Sequence, residues 1–204
     1  MRYRKIPSET IRRLPMYFRA LVFLEKNQKD YISSSELAEF VHIKPPQIRK
    51  DFSYFGAFGT KGIGYDIKNL INEIQSILKL DSPQKAALIG AGKLGTALCL
   101  FPGFKAYGFE ISAIFDKDPD KIGKKIGNTT IEDVATVDSL TQRNIKLAIL
   151  AVPANTAQST TAELVQAGIT GILNLSPCYL DVPPDVKVVT IDIAMELGAL
   201  PYYI

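Results

Sequence analysis

The sequence has little cysteine and no long apolar run, and each scarcity excludes a class of protein. Its two cysteines, Cys99 and Cys178, are far apart and form no CxxC pair, so we expect neither a disulfide nor a metal site. No stretch approaches the length of a transmembrane helix. No apolar signal core follows the basic N-terminus MRYRK, as a secretory signal would require. We therefore expect a soluble, cytoplasmic protein with no membrane partner.

The charge is divided unevenly along the chain. Residues 1–80 carry 14 Lys and Arg against 8 Asp and Glu, a net charge of +6, whereas residues 81–204 carry 10 against 13, a net charge of −3. Such asymmetry indicates two domains with different partners. The basic part suits a polyanion, and Asp81-Ser82-Pro83 is a plausible boundary between the two.

A glycine-rich motif opens the acidic part. The apolar run 86–89 is followed by GAGKLG at 90–95 and then by a helical pattern. In a G-x-G-x-x-G motif the first glycine permits a tight turn, the second admits a pyrophosphate and the third lets the helix pack closely. The next apolar run, 109–115, ends at Asp116, where a carboxylate accepts the ribose 2′-hydroxyl of NAD. The alternative is a glycine-rich turn that binds nothing.

The basic part has the pattern of a helix-turn-helix. We expect a short lead-in helix over 9–14, a second helix over 15–26, a serine-capped helix over 33–40, and another that Pro45-Pro46 opens. On this last helix Ile48 and Phe52 face the core, while its polar residues can reach bases and phosphates. The alternative is a helical bundle with a solvated basic face.

A hairpin follows the proposed recognition helix. Residues 56–64 contain four glycines, and Thr60-Lys61-Gly62 suits its turn. A hairpin at this place is a wing, with Lys61 at its tip near DNA. A second phosphate loop is the rival interpretation, but the Lys-Ser/Thr of a P-loop is missing. An amphipathic helix over 66–80 ends this domain.

Strands alternate with helices through the rest of the chain. We expect strands at 146–152, 171–175 and 186–193, a helix at 156–167, a short helix at 194–200, and either a strand or a helix within 128–138. This alternation predicts an α/β domain with a doubly wound parallel sheet, like a Rossmann fold. Val152 and Pro153 end a strand and are expected on the nicotinamide side of the pocket.

Eight segments, in order and covering nearly the whole chain, resemble the Rex family of redox-sensing transcriptional repressors. They are RRLPMYFR, SSSELAEFV, PPQIRKDFSYFGAFGTKGIGY, LIGAGKLGTAL, FDKDPDKIG, AVPANTAQ, AGITGILNLSP and IDIAMELGALPYY. The resemblance implies a winged helix over 1–80, an NAD(H)-binding domain over 81–191 and a terminal helix, 192–204, exchanged between the subunits of a homodimer. It also implies that NADH releases the repressor from palindromic operator DNA.

Motifs and resemblance together select two sets of site residues. Those expected to bind NADH and NAD⁺ are Gly90, Ala91, Gly92, Lys93, Leu94, Gly95, Asp116, Lys117, Val152 and Pro153. Those expected to contact DNA are Arg12, Arg13, Gln47, Arg49, Lys50, Ser53, Tyr54 and Lys61. The chain departs from the usual family pattern at four positions, which hold Lys61 for Arg, Lys93 for Asn, Thr96 for Arg and Phe101 for Tyr.

Two rival functions are a small NAD-dependent dehydrogenase and a thiol-based regulator. A dehydrogenase needs a general base near its substrate, yet the single histidine, His42, lies in the helix-turn-helix. No Tyr is followed four residues later by Lys, and no substrate domain remains. A thiol switch needs a basic neighbour for its cysteine, and none is evident beside Cys99 or Cys178. We expect both cysteines to serve in packing, and no catalytic residue.

Overall fold

The chain divides into two units, Met1–Ser82 and Pro83–Ile204, in a computed structural model. The structure describes residues 6–56, 59–60, 62–198 and 200–204. The division lies close to the boundary expected at Leu80. We call the two parts the N-terminal unit and the C-terminal unit and describe each by itself.

The described residues of the N-terminal unit form helices around a small antiparallel sheet. The helices are α1 (Ser8–Lys26), α2 (Ser34–Val41), α3 (Pro45–Ser53) and α4 (Ile67–Ile77), and the strands are β1 (Tyr31–Ile32), β2 (Gly59–Thr60) and β3 (Gly64–Asp66). The strand order is β1-β3-β2. Helices α2 and α3 are joined by a short turn, and the β2–β3 hairpin follows α3. The predicted winged helix-turn-helix is confirmed.

Helix α1 is continuous, which corrects the expected break before Pro15. Pro15 lies inside the helix and removes one backbone donor. Buried side chains on both sides of it, Leu14, Tyr17 and Phe18, pack into the same core. Burial of this face outweighs the lost hydrogen bond and keeps the helix in one piece. Strand β1 is a second difference, because the sequence-based prediction has no strand between the helices expected over 15–26 and 33–40; only pairing with β3 makes it a strand.

Short-range chemistry explains where α2 and α4 begin. The Ser33 hydroxyl accepts a hydrogen bond from the Glu36 N–H, and the Glu36 carboxylate accepts one from the Ser33 N–H, which completes a capping box. Asp66 caps α4 by accepting from the Asn69 N–H. Helix α4 begins one residue later than the expected 66–80, since Asp66 caps it from outside, and it ends earlier, at Ile77, just before Lys79 adopts a left-handed conformation with φ of 57°.

A buried carboxylate joins α1 to α3. The Asp51 side chain is fully buried and accepts hydrogen bonds from the Thr10 hydroxyl at 3.0 Å, the Tyr17 hydroxyl at 2.7 Å and the Gln47 amide at 2.8 Å. The Arg13 guanidinium donates through Nε at 2.6 Å and Nη2 at 2.8 Å. Thr10, Arg13 and Tyr17 belong to α1 and Gln47 belongs to α3. This network therefore fixes how the two helices pack.

Burial and hydrogen bonding act in opposite directions on Asp51. Burial raises the pKa of the carboxyl, but the hydrogen bonds from Arg13, Tyr17, Gln47 and Thr10 outweigh it and hold the pKa of Asp51 below its ordinary value. The pKa of Tyr17 is raised, first by burial and then by its bond to Asp51. The carboxylate is therefore ionised at neutral pH, with Arg13 as its counter-ion.

The described residues of the C-terminal unit form a seven-stranded sheet of order β10-β9-β8-β4-β5-β7-β6. The strands are β4 (Gln84–Ile89), β5 (Phe109–Asp116), β6 (Lys125–Ile126), β7 (Thr129–Asp133), β8 (Leu147–Leu150), β9 (Gly171–Asn174) and β10 (Lys187–Thr190). All neighbours are parallel except β6 and β7, which pair antiparallel. The predicted doubly wound sheet is confirmed.

Helices alternate with these strands and cover both faces of the sheet. They are α5 (Lys93–Cys99), α6 (Gly103–Ala106), α7 (Ser139–Gln142), α8 (Ala154–Gln166) and α9 (Ile193–Gly198), with 3-10 turns at Val134–Thr136 and Leu200–Tyr203. Alternate residues of β4 enter two different cores: Ala87 and Ile89 pack in one, Leu88 in the other. Both faces are therefore buried, as a doubly wound sheet requires.

The chain reverses its direction of winding beside β4. From β4 it continues to β5 and β7 on one side, then returns to β8 and proceeds to β9 and β10 on the other. Ligands of such sheets bind at this switch point, outside the carboxyl ends of the strands. Residues 128–138 contain both elements weighed for them, strand β7 and a 3-10 turn. Strand β6 and helix α6 have no counterpart in the sequence-based prediction, because each is too short to show a period.

The Asp51 network predicts a pH-dependent loss of stability in Asp51→Asn. An unfolded aspartate has a pKa of about 3.9, and the folded pKa of Asp51 is lower. Its contribution is thus fully present above about pH 4 and is lost as the pH falls through the folded value. We expect Asp51→Asn to destabilise the N-terminal unit by about 3–5 kcal/mol at pH 7, because Arg13 loses its buried partner.

Urea unfolding, monitored by hydrogen exchange in each of the two units, measures this loss of stability. Asp30→Asn is the matched control, since Asp30 is an exposed aspartate of the same unit, and it is expected to change little. The wild-type and Asp51→Asn stabilities should converge as the pH falls below 4. A difference between them that is the same at pH 7 and pH 3 would contradict this account.

Candidate functional site

The outer face of α3 presents polar and cationic side chains. Arg49, Lys50 and Ser53 are exposed, while Ile48 and Phe52 are buried in the core of the N-terminal unit. The inward residues are those predicted from their spacing of four. Arg, Lys and Ser side chains carry hydrogen-bond donors that suit base edges and phosphates, so this face has the chemistry of a DNA-reading helix.

A side-chain contact with α2 also holds α3 in place. Nη1 of Arg49 donates to the Ser34 hydroxyl at 2.8 Å, which links the middle of α3 to the first residue of α2. His42 adopts a left-handed conformation with φ of 54° and ends α2. The hydrogen bond from Lys29 and those within the capping box lower the pKa of Glu36 to about 2. His42 thus ends α2 before the turn that leads into α3, while the bonds of Glu36 fix the start of α2.

Arg13 and Gln47 make contacts within the N-terminal unit, and their contacts with DNA stay a prediction. Both were expected to meet DNA, yet both donate to Asp51 inside the N-terminal unit. The reason is that a buried carboxylate needs donors from every element around it. Arg12, by contrast, is exposed and lies 3.7 Å from Glu9. Tyr54 is half-buried after the last residue of α3. Lys61 lies outside the described residues.

Asp51 is the residue that the sequence interpretation missed. Its spacing from Ile48 and Phe52, three and one residues away, places all three on one face of α3. An acidic residue on the apolar face of a short helix is the signal that could have revealed it. Its partners Thr10, Arg13 and Tyr17 come from α1, far away in sequence, so their identity required the tertiary structure.

The glycine-rich turn between β4 and α5 has the geometry that each glycine was expected to provide. Gly90 has φ of 100°, and a Cβ there would clash with the Ala151 carbonyl. A Cβ on Gly95 would clash with the Gly90 carbonyl, so the helix and the turn are in direct contact. A Cβ on Gly92 would meet nothing within 4 Å. The turn is therefore closely packed at Gly90 and Gly95 and open at Gly92.

Asp116 lies beside this turn at the end of β5. One carboxylate oxygen accepts from the Ala91 N–H at 2.7 Å and from Nζ of Lys121 at 3.1 Å. The other accepts from the Asp118 N–H at 2.9 Å. Burial raises the pKa of Asp116, but these three donors outweigh it and the net pKa lies below the ordinary value. The second oxygen, with one bond, has capacity left for a hydroxyl donor.

The other predicted cofactor residues lie around the same turn. Lys93 and Leu94 begin α5 and are exposed, and Lys117 is exposed after Asp116. Val152 comes close to the turn, because a Cβ on Gly90 would lie 3.1 Å from its Cγ1. Pro153 precedes the first residue of α8. The structure thus brings the glycine turn, Asp116 and Val152 together. Lys121 was not among the predicted residues.

The chemistry of the remaining candidates is limited. Both cysteines are free thiols, and burial raises the pKa of Cys99, which opposes formation of a thiolate. Among residues 6–56, 59–60, 62–198 and 200–204, no group of three or more His, Cys, Asp or Glu side chains could hold a metal ion. No helix within the described ranges is long and apolar enough to cross a membrane.

The end of the chain exposes many apolar side chains. Among them are Ile193 at 61%, Met195 at 70% and Leu197 at 66% exposure on α9, and Tyr202 at 88% beyond it. Asp192 caps α9 by accepting from the Ala194 and Met195 N–H groups. We call residues 192–204 the terminal segment. Contiguous apolar exposure of this kind marks a surface that contacts another molecule.

Two family models match the chain. Residues 5–53 match the putative DNA-binding protein N-terminus family, and residues 81–178 match the CoA binding domain family. The two matches fall in the N-terminal and the C-terminal unit, respectively.

Curated relatives match nearly the whole chain. The redox-sensing transcriptional repressor Rex of Chloroflexus aurantiacus is 47% identical over 97% of this chain and 94% of its own length. That of Lactobacillus acidophilus is 42% identical over 98% and 95%, and that of Brevibacillus brevis is 40% identical over 100% and 99%.

Solved structures match the fold of the whole chain as well. A crystal structure of RSP with β-NAD⁺ and operator DNA has a TM-score of 0.90 and 38% identity, covering 98% of this chain and 93% of its own. RSP with β-NADH has a TM-score of 0.88 and 37% identity, covering 98% and 94%. RSP is described as a Rex-family repressor. Because identity to the curated Rex repressors is 40–47% along almost its full length, the chain belongs to the Rex family of redox-sensing transcriptional repressors.

Proposed function

We propose that this chain is a homodimeric, cytoplasmic repressor that binds palindromic operator DNA through its N-terminal units and releases it when NADH binds its C-terminal unit. The observation that carries this proposal is the likeness to RSP, which has been solved with operator DNA and with both forms of the dinucleotide. The arrangement of α3 and of the glycine turn in this chain supports it.

On the DNA side, α3 is the recognition helix. Arg49, Lys50 and Ser53 face the major groove, with Tyr54 at the end of the helix and Lys61 at the wing. Arg12 neutralises phosphate. Gln47 and Arg13 reach DNA only through the donors that Asp51 leaves unused, so their first effect is to hold α3 in position. Phosphate contacts of this kind make operator binding strongly salt-dependent.

On the cofactor side, the pyrophosphate approaches Gly92, where the turn is open, and the adenosine ribose meets Asp116. Lys121 holds the Asp116 carboxylate in place and Lys93 adds positive charge beside the pyrophosphate. Val152 and Pro153 line the nicotinamide side. Phe101 lacks the hydroxyl of the usual family tyrosine, so its ring cannot hydrogen-bond to Asp192. Any switch that depends on a hydrogen bond from that tyrosine to the aspartate matching Asp192 must therefore differ in this chain.

A dehydrogenase function is not favoured. The curated relatives are named as repressors, and the solved structures of similar length are repressors too. His42, the single histidine of the sequence, lies between α2 and α3 in the N-terminal unit, whereas the glycine turn belongs to the C-terminal unit. A dehydrogenase would need a general base beside that turn, within reach of its substrate.

Lys50→Ala tests the DNA side. Removing one phosphate contact should weaken operator binding and reduce the slope of log affinity against log salt by about one. Lys85→Ala removes the same charge from an exposed position on the C-terminal unit and serves as the control. Fluorescence anisotropy at a series of salt concentrations gives both slopes. Lys61→Ala is expected to behave like Lys50→Ala. A slope equal to that of the wild type would remove the residue from the phosphate contacts.

Asp116→Ala tests the ribose contact. Loss of a hydrogen bond to a charged group should weaken NADH about 10- to 100-fold. The affinity for NADPH should fall much less, because its 2′-phosphate is no longer repelled by a carboxylate. Asp120→Ala removes a carboxylate from an exposed position of the same loop and should leave both affinities unchanged. Calorimetry with the two dinucleotides decides; an unchanged ratio of affinities would exclude Asp116 from the site.

Deletion of residues 192–204 tests the dimer and the coupling. Linkage requires that DNA lower the affinity for NADH by the same factor by which NADH lowers the affinity for DNA. Some part of the protein must therefore respond to both ligands. The exposed apolar side chains of the terminal segment suit a subunit interface. The truncated protein should lose both the dimer, measured by sedimentation, and NADH-sensitive operator binding, measured by gel shift. A truncated dimer that still releases the operator with NADH would exclude this segment as the transmitter.

A further inference from the structure

The turn after β9 is organised by a buried amide. Asn174 is fully buried, and its Oδ1 accepts from the Ser176 N–H at 3.0 Å. Its Nδ2 donates to the Cys178 carbonyl at 2.9 Å and to the Thr190 hydroxyl at 3.3 Å. The side chain therefore shapes residues 174–178 and anchors them to β10. A buried amide bonded at both ends restricts the turn to one conformation.

Ser176 extends this order to the neighbouring turn. Its side chain is almost fully buried, with 1% of the residue exposed, and its hydroxyl donates to the Val152 carbonyl at 2.7 Å. The Leu175 N–H also donates to the Leu150 carbonyl at 2.9 Å, which continues the β8–β9 ladder. The turns after β8 and β9 are thus joined side by side at the carboxyl edge of the sheet.

Val152 in turn borders the glycine-rich turn. A Cβ on Gly90 would clash with the Ala151 carbonyl and would lie 3.1 Å from Cγ1 of Val152. A series of direct contacts therefore runs from Asn174 through Ser176 and Val152 to Gly90. A displacement of the Val152 carbonyl would change the wall next to the place where a dinucleotide is expected.

The position of this series decides which half of a dinucleotide it affects. Asp116, at the end of β5, lies on one side of β4, whereas β8 and β9 lie on the other. A dinucleotide spans the switch point with one mononucleotide half on each side. Since Asp116 is the candidate for the adenosine ribose, the β8–β9 side receives the nicotinamide half.

We propose that Ser176 is a positioning residue for the nicotinamide half of the cofactor. Its hydroxyl holds the Val152 carbonyl and so sets the wall formed by Val152 and Pro153, without contact between Ser176 and the cofactor. This inference rests on the proposed binding of NADH and NAD⁺. The adenosine and pyrophosphate half depends on other residues, Gly92 and Asp116, so the two halves of the ligand should respond differently to a change at Ser176.

Ser176→Ala in the full chain, measured with NADH, NAD⁺ and ADP-ribose, separates these halves. ADP-ribose keeps the adenosine, the pyrophosphate and the second ribose but lacks nicotinamide. We expect Ser176→Ala to weaken the binding of NADH and NAD⁺ about tenfold, because the wall beside the nicotinamide half is no longer held in its binding conformation, while the affinity for ADP-ribose stays within about twofold. The fluorescence of bound NADH should change as well, because the nicotinamide ring lies in altered surroundings.

Ser159→Ala is the matched control. The Ser159 hydroxyl also donates to a backbone carbonyl, that of Thr156, but on the exposed face of α8. It should leave all three affinities unchanged. Retained binding of ADP-ribose by Ser176→Ala shows that the variant is folded. Should it fail to fold, Ser176→Cys, which keeps a side chain with a weak donor at this position, makes the same comparison with a smaller expected loss of affinity for NADH.

The possible outcomes distinguish this inference from the proposed function. If Ser176→Ala loses affinity for NADH and for ADP-ribose equally, or for neither, the proposed role of Ser176 is overturned, while the binding of NADH by the wild type stands. A wild-type protein that binds neither ligand overturns the proposed function and this inference together. Selective loss of NADH and NAD⁺ supports the role of Ser176.

Discussion

The buried carboxylate of Asp51 is the interaction on which the N-terminal unit depends. Four side chains donate to it, three from α1 and one from α3 itself. A charge without water is tolerated only when it is neutralised and hydrogen-bonded. Any arrangement that separated α1 from α3 would leave the carboxylate with the Gln47 amide alone and would leave Arg13 without its counter-ion. The apolar core allows several packings of short helices, and the carboxylate restricts them to one.

This restriction matters for function because α3 is the proposed reading helix. Its outer face bears Arg49, Lys50 and Ser53, and the orientation of that face is set from within by Asp51. Gln47 and Arg13 show that some polar residues near the reading face hold α3 in position. Their residue types suit DNA, yet in the structure they serve the network beneath the reading face. A polar residue on a recognition helix can therefore affect DNA affinity by holding the helix in position.

The C-terminal unit uses the same device at Asp116. There the donors are mostly backbone N–H groups, of Ala91 and Asp118, assisted by Lys121. The Ala91 bond ties the end of β5 to the glycine turn after β4. A side chain proposed to recognise ribose thus also stabilises the turn proposed to receive the pyrophosphate. Asn174 and Ser176 provide a neutral version of this arrangement on the other side of β4, where amide and hydroxyl groups replace charge.

Residue patterns alone determined much of this protein. The period of apolar residues, the serine caps and the three glycines were enough to predict the winged helix-turn-helix and the doubly wound sheet. These signals are local, because caps, turns and periods depend on residues close in sequence. The roles of Gly90, Gly92 and Gly95 followed from elementary sterics and agree with the space around each glycine.

Only the tertiary structure decided which polar side chains face inward. Pro15 predicted a break that the core packing of α1 overrides, and β1 became a strand only because β3 pairs with it. Asp51, Lys121 and Ser176 gain their importance from partners brought together by folding: Arg13 lies 38 residues from Asp51, and Val152 lies 24 residues from Ser176. Such bonds depend on burial and on the approach of distant segments, and neither is encoded in the identity of the residue or in its near neighbours.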